Sequence, residues 1–479
     1  MSSKAYPVLR WPDIGEIEER TEVLLDSPVR SLSPAAMAHY EDWFQRNCPN
    51  SQASARESAA VIPGGLQHSL PSSRPFPVQM ARTSGAFAWD VDGNQYIDFI
   101  QAGGASVLGA NHPVVREAVI DLLTSCAPST CFPHEAEIQL AQFVQGSVPS
   151  VERFRMLGSG TEAVMAAIRA ARAFTGAAHI VKAGGAYHGW SDQLVFGLGA
   201  PGSGRAAAGG IPDPVLSLTH EVPPNDVGAL RARLSQCAAD GGTAAVVLEP
   251  LGPQSGTMPV EEGYAGQVRD LCDEFGALLV FDEVVSAFRL GMAGVQGHLG
   301  VRPDLTIFGK CIAGSYPGAG GLGGRAEVMS VVTPGHTGTV ALLGGTLSAG
   351  PLSSVAGLAC LMEMRRTDAP AAASRAGDLL CARLTELITK FELPFLVYNL
   401  GSIVHLDTSG LFRLRRDDPD YAAQFKPRRA QNRDIATACA AEGVMISQTG
   451  RMFTCAAMTS DVIDDAVHRF EKVFAATAA

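Results

Sequence analysis

Two apolar runs leave this chain little choice of fold. Ala277-Leu-Leu-Val-Phe-Asp282-Glu283-Val-Val and Asp304-Leu-Thr-Ile-Phe-Gly309-Lys310 are short, rich in Val, Ile, Leu and Phe, and do not alternate with polar residues. Runs of this kind read as strands buried on both faces, as a parallel sheet requires. Asp282 lies in the first and Lys310 closes the second. In open α/β sheets ligands bind beyond the carboxyl ends of the strands, so the two groups are expected to face one site. An acid and an amine delivered in this way suit a pyridine-type cofactor. The acid keeps the ring nitrogen protonated, and the amine condenses with an aldehyde. On the residues alone, an ordinary buried ion pair at two strand ends explains them equally well.

The surrounding pattern supports the parallel sheet. From about Val114 to Gly324 helical and strand-like segments alternate, with Ile180-Val181 and Ala244 to Leu251 as further strands. From Pro351 onward, long Ala-rich helical patterns mix with strands such as Gly401-Ser-Ile-Val-His-Leu406. This part is expected to form a smaller α+β domain with residues 60–108, where Ala86 to Phe99 reads as a hairpin turning at 90–94. Pro7, Pro12, Pro28 and Pro34 punctuate the first residues, and Ser33-Pro34 reads as the cap and first position of a helix. The expected division is an N-terminal extension over 1–58, lying across the body or a partner. The first part of the small domain follows over 59–108, a large domain over 109–350, and the rest of the small domain over 351–479.

Composition narrows the function classes. Hydrophobic residues make up 46% and charged residues 18% of 479, which describes a globular enzyme. The net charge of −11 argues against a nucleic-acid partner. No apolar run reaches the ~18 residues that span a bilayer, and Met1 to Leu9 lacks the apolar core of a secretory signal. Ten scattered cysteines without a CxxC pair read as reduced thiols of a cytoplasmic protein. Cys311, beside Lys310, reads as a small buried filler. No metal site is expected.

Three further stretches carry chemistry. Gly158-Ser159-Gly160-Thr161-Glu162 opens a helix. Glycines let the backbone approach an anion, the free N–H groups and the dipole hold it, and the hydroxyls donate. The plainer reading is a helix cap on Ser159 or Thr161. Ala186-Tyr187-His188-Gly189-Trp190 follows a strand and offers an aromatic face to a planar ring, although a packed aromatic cluster with a structural histidine fits as well. Gly344-Gly345-Thr346-Leu347-Ser348 is a small-residue turn that offers another hydroxyl, or is simply an interdomain loop.

Taken in order, these stretches resemble one family. Ser159-Gly-Thr, Tyr187-His188-Gly189, Glu249-Pro250, Asp282-Glu283-Val284, Phe288-Arg289, Lys310, Gly323-Gly324-Arg325 and Gly345-Thr-Leu-Ser are similar to the class III (omega) aminotransferases. Within them they most resemble the branch of glutamate-1-semialdehyde aminomutase and its relatives. The resemblance spans about residues 60–475. It implies pyridoxal 5′-phosphate (PLP) as cofactor and the PLP-dependent transferase fold type I. That fold is α/β, with a large domain whose mostly parallel central sheet is flanked by helices and a smaller α+β domain from both chain ends. It also implies site roles. Lys310 condenses with the cofactor aldehyde and shuttles the proton, Asp282 pairs with the ring nitrogen, and Tyr187 stacks on the ring. Ser159, Gly160 and Thr161 hold the phosphate, while His188, Glu249 and Val284 line the cofactor. Thr346 reaches the phosphate of a neighbouring subunit, which implies a homodimer.

Departures from the pattern bear on substrate. The arginine that grips the substrate carboxylate in the aminomutase is replaced by His68 or Ser69, with Arg74 displaced. Gln101-Ala-Gly-Gly stands for Gly-Ser-Trp-Gly. Trp190 and Tyr316 are candidates for an aromatic wall, and Arg74 and Arg451 for the missing anion clamp. The expected activity is therefore transamination between a small-molecule amino donor, an amino acid or amine, and a keto acid or aldehyde, in ping-pong order. Isomerisation of the aminomutase or epimerase type is the alternative, and lyase chemistry a more remote one.

Overall fold

The computed structural model describes residues 8–68, 75–125, 131–195, 197–198, 208–414 and 420–478. The strands, in chain order, are β1 (Met80–Ser84), β2 (Phe87–Asp90), β3 (Gln95–Asp98), β4 (Arg153–Leu157), β5 (His179–Ala183), β6 (Thr219–Val222) and β7 (Thr243–Leu248). After them come β8 (Leu278–Asp282), β9 (Leu305–Gly309), β10 (Gly320–Gly324), β11 (Leu396–Leu400), β12 (Ile403–Asp407), β13 (Val444–Met445) and β14 (Arg451–Phe453).

The chain divides into two compact units, Pro113–Thr367 and the combination of Met1–His112 with Asp368–Ala479. The larger holds a seven-stranded sheet in the order β4-β10-β9-β8-β7-β5-β6. β10 runs antiparallel to both neighbours; its neighbours β4 and β9 therefore point the same way, and β9, β8, β7, β5 and β6 pair in parallel. β7, β8 and β9 are buried along their whole length, which is why their sequences are continuous apolar runs. The helix Gly160–Thr175 packs on this sheet through Ala163, Val164, Ala167, Ile168 and Ala171, a face of mostly small residues.

β10 reads Gly-Gly-Leu-Gly-Gly because there is no room for more. A Cβ on Gly320 would lie 2.2 Å from the Ser159 carbonyl oxygen, and one on Gly321 2.7 Å from the Phe154 ring. Glycine in a strand marks close backbone approach, here of the antiparallel strand against the loop that begins the Gly160 helix.

The smaller unit carries a four-stranded sheet, β1-β2-β3-β13, and a three-stranded one, β11-β12-β14. The expected hairpin is β2 and β3, closed by Asp90, whose carboxylate accepts the Asp92 and Asn94 N–H groups. Two boundaries differ from expectation. The described N-terminal residues, from Val8 on, group with the smaller unit. Helices Pro34–Asn47 and Pro49–Val61 follow the Ser33 cap, and Tyr40, Phe44 and Cys48 are buried in one core with Phe99, Phe470 and Val473. The second boundary falls at Thr367, not Gly350, because the helix Pro351–Thr367 packs on helices Pro113–Thr124 and Glu135–Ser147 of the larger unit.

Candidate active site

Strand register assembles the site from the larger unit. Asp282 is the last residue of β8 and pairs with Ile307 in β9, so β9 runs on past it to Gly309 and Lys310. Gly309 faces Gly320, which faces Leu157, and Ser159 forms a bridge with Ala319. The strand ends leading to Ser159, Tyr187-His188, Glu249, Asp282 and Lys310 thus emerge at one edge of the sheet, its carboxyl edge. Val284 ties three of them together: a Cβ on Gly160 would lie 3.0 Å, and one on Gly309 2.7 Å, from its methyl groups. Lys310 adopts φ +48°, a left-handed conformation that costs a non-glycine residue of the order of 1 kcal/mol or more and is concentrated at functional sites.

Asp282 is 7% exposed. Its Oδ2 accepts a 2.7 Å hydrogen bond from His188 Nδ1, and its Oδ1 accepts one of 3.1 Å from the Val284 N–H. His188 is itself buried, so the pair fixes the carboxylate in orientation and leaves acceptor capacity on both oxygens. At the other end of the site, Ser159 caps the Gly160 helix by accepting from the Glu162 N–H at 3.2 Å, and Glu162 Oε2 accepts from the Gly158 N–H at 2.9 Å. The first turn of that 16-residue helix presents N–H groups beyond the reach of its own ladder, with the positive end of the dipole behind them. Gly189 closes over this turn: a Cβ there would meet Thr161 Oγ1 at 2.5 Å.

These groups fit the cofactor implied by the sequence. A buried carboxylate with spare acceptor capacity suits a protonated ring nitrogen, a helix N-terminus suits a phosphate, and a lysine one strand away suits the aldehyde. Tyr187, half exposed, presents a ring at the same edge. Burial, and next the Asp282 charge, push its phenol pKa up, so the ring stays neutral at ordinary pH.

Glu249 and Glu283 hold the framework. Glu249 accepts from the Tyr187 N–H at 3.0 Å, the Gln254 N–H at 2.7 Å, the Ser255 N–H and the Ser255 hydroxyl at 3.1 Å. It thereby clasps the tyrosine loop to a turn whose Gln254 and Ser255 have positive φ. Glu283 accepts from the Ser286 hydroxyl and from the Val295 and Gln296 N–H groups. Burial raises both carboxyl pKa values. Sequence reading missed Lys182. Fully buried in β5, it donates from Nζ to the Ala186 carbonyl at 3.0 Å, propping the tyrosine loop from below. Burial lowers its pKa to about 8 against the opposing pull of Glu221 and Glu249. A lone lysine inside an apolar strand was the available signal.

The candidate substrate groups are scattered. Trp190, 75% exposed, and the half-buried Tyr316 belong to the larger unit; His68, exposed, and the half-buried Arg451, whose guanidinium lies 5.6 Å from the Phe453 ring centroid, belong to the smaller. Arg74 and Ser69 lie outside the described residues. Thr346 sits on an exposed loop whose carbonyl accepts a 3.6 Å contact from the Cys131 thiol. No described helix is long and apolar enough to cross a membrane.

Comparison with known proteins agrees with this geometry. The aminotransferase class-III family model matches residues 69–474. A glutamate-1-semialdehyde 2,1-aminomutase of Desulforamulus reducens is 38% identical over 341 residues, covering 70% of this chain and 77% of the relative. Among solved structures, an omega-transaminase from Sphaerobacter thermophilus superposes with a TM-score of 0.81 at 31% identity, covering 91% of this chain and 99% of that one. A β-phenylalanine aminotransferase from Variovorax paradoxus gives 0.78 at 30% identity, covering 91% and 96%.

Proposed function

Since the chain belongs to the class-III aminotransferase family, whose members are PLP-dependent enzymes acting on small amino and keto compounds, we propose that it is a transaminase. It would move an amino group from an amino acid or amine to a keto acid or aldehyde. The observation that carries this reading is the pairing of β8 with β9, which brings the ends bearing Asp282 and Lys310 side by side. When bound, the cofactor supplies an electron sink for the pair left when a proton leaves the carbon bearing the amine.

The chain's residues do the rest. Lys310 Nζ would hold the cofactor's aldehyde and, once displaced by the substrate amine, would move the proton at the substrate carbon as base and acid in turn. Asp282, oriented by His188, holds the ring nitrogen protonated. The Ser159-Gly160-Thr161 turn would hold the phosphate, and Tyr187 would offer its ring to the cofactor. Glu249 and Lys182 act through the loop they hold. Trp190 and Tyr316 would form the wall beside the substrate, and His68, Arg74 and Arg451 are candidate partners for a substrate carboxylate.

Transamination is favoured over isomerisation because Leu66-Gln-His68-Ser69 has no arginine where the aminomutase holds its substrate. The similarity to the aminomutase of Desulforamulus reducens keeps the isomerase as second reading. A half-reaction separates them. A transaminase given an amino donor alone loses its visible cofactor band and regains it on adding a keto acid. Turnover of a single amino substrate to its isomer with no keto acid present would overturn the proposal.

A homodimer completes the reading, with Thr346 reaching the partner's phosphate. Leu342, Leu347 and Phe132 are each at least 67% exposed on the larger unit, apolar surface that a partner copy would cover. Light scattering at the dimer mass, with weaker cofactor binding in Thr346→Ala, is the expected result. A monomer with full activity would contradict it. The nine described cysteines form no disulfide, which supports a cytoplasmic setting.

A further inference from the structure

One cluster on the larger unit takes no part in the site above. His179 opens β5, and His220, near the start of the parallel neighbour β6, lies opposite Val181. Residues two apart on a strand share a face, so both histidines project to the same side of the sheet. The helix Val227–Ala238 packs on β5 and β6, and its buried residues Leu230, Leu234 and Cys237 fall on one helical stripe. One atom from each of His179, His220 and Cys237 lies within 4.8 Å of the other two.

The hydrogen bonding fixes how these atoms are presented. His179 Nδ1 and His220 Nε2 are 2.9 Å apart, a distance at which they share one proton. His179 Nε2 lies 2.8 Å from the Asp240 carbonyl and 3.3 Å from the Asp240 carboxylate. That contact keeps a proton on Nε2 and leaves the Nδ1 lone pair facing His220. An imidazole held from behind by a carbonyl or carboxylate is the usual arrangement of a metal-binding histidine.

We propose that His179 Nδ1, His220 Nε2 and Cys237 Sγ form a zinc(II) site at the amino end of β5, remote from the cofactor edge, with the fourth position left to water. Tetrahedral zinc sets its ligand atoms about 3.3–3.6 Å apart, so the two imidazole nitrogens, 2.9 Å apart here, separate slightly to admit the ion, while the Cys237 sulfur, within 4.8 Å of both, closes in on it. Uptake releases one proton, from the Cys237 thiol to solvent. His220 moves its ring proton from Nε2 to Nδ1, and nothing is oxidised or reduced. The Asp240 charge favours a cation beside His220, and the Arg233 charge opposes it. The ion would pin strand β6 and its covering helix to β5. Sequence spacing hides the site, since the two histidines are 41 residues apart.

The test uses the full chain loaded with its cofactor and dialysed against a chelator. Calorimetry with Zn(II) is expected to show one ion bound per chain, and Co(II) to give a thiolate-to-metal charge-transfer band. His220→Gln and Cys237→Ser should each weaken zinc binding roughly 100-fold or more. Cys237→Ser should also remove the cobalt band and leave the cofactor spectrum unchanged. If Cys237→Ser does not fold, the half-buried His220→Gln decides alone. No zinc uptake by the wild type, no cobalt band, or undiminished affinity in His220→Gln would overturn the proposal.

Discussion

At the carboxyl edge of the large sheet Asp282 accepts one hydrogen bond from a histidine and one from a backbone N–H, whereas at the amino edge Asp304 sits between two arginines. Arg269 donates to its Oδ2 at 2.7 Å and Arg325 to its Oδ1 at 2.6 Å, and the Leu279 N–H adds a third bond at 2.8 Å. Both acids are buried and one residue type serves both ends. Asp304 is saturated by the chain and can only hold it together. Asp282 is oriented by two bonds and keeps acceptor capacity on both oxygens. The Gly323-Gly324-Arg325 motif, part of the family resemblance, thus belongs to the structural end through Arg325, while Asp282 and Lys310 stand at the carboxyl edge, where the proposed chemistry would take place.

The sharpest way to break this contrast is at Lys310. Lys310→Ala should lower turnover by several orders of magnitude while the phosphate turn and Asp282 still retain cofactor; steady-state rates and equilibrium dialysis read the two effects separately. Asp282→Asn should reduce kcat about 100- to 1000-fold with little change in melting temperature. A loss of folding without a specific loss of rate would move Asp282 to the structural side.

Asp304→Asn should do the reverse. Activity per folded molecule is expected to be kept, and stability to fall by roughly 2–4 kcal/mol in denaturant titration, less than for a fully dry pair because Arg325 is half exposed. Burial alone would raise the Asp304 carboxyl, but hydrogen bonds from Arg269 and Arg325 hold its pKa below the ordinary range. A carboxyl lowered in the folded state stabilises the fold fully above the unfolded-state pKa. That contribution is lost as pH falls through the folded value. The wild type should therefore lose its stability advantage over Asp304→Asn in acid. The smallest effect is expected from Trp190→Ala: stability within about 0.5 kcal/mol, with a change in KM among amino donors if this ring lines the substrate.

Much of the carboxyl edge is legible in the sequence because its strands and helix start are written in short, contiguous stretches. The apolar runs before Asp282 and Lys310 are strands β8 and β9, and Ser159 caps the helix that begins at Gly160. What stayed hidden depends on contacts distant in sequence. β10 looks like a loop because its glycines answer to Ser159, Phe154 and Val151 from elsewhere in the chain. The N-terminal helices look detachable because only the fold sets Phe44 edge-on to Phe76 and in one core with Phe99 and Phe470. Lys182 stands out only as a lone lysine in an apolar strand; its role depends on the Ala186 carbonyl that the fold brings to it.

The most direct test is reductive trapping. Purified protein saturated with PLP, reduced with borohydride and mapped by mass spectrometry should carry the pyridoxyl phosphate adduct on Lys310. An adduct on Lys182 or any other lysine, with Lys310 unmodified, would contradict the account.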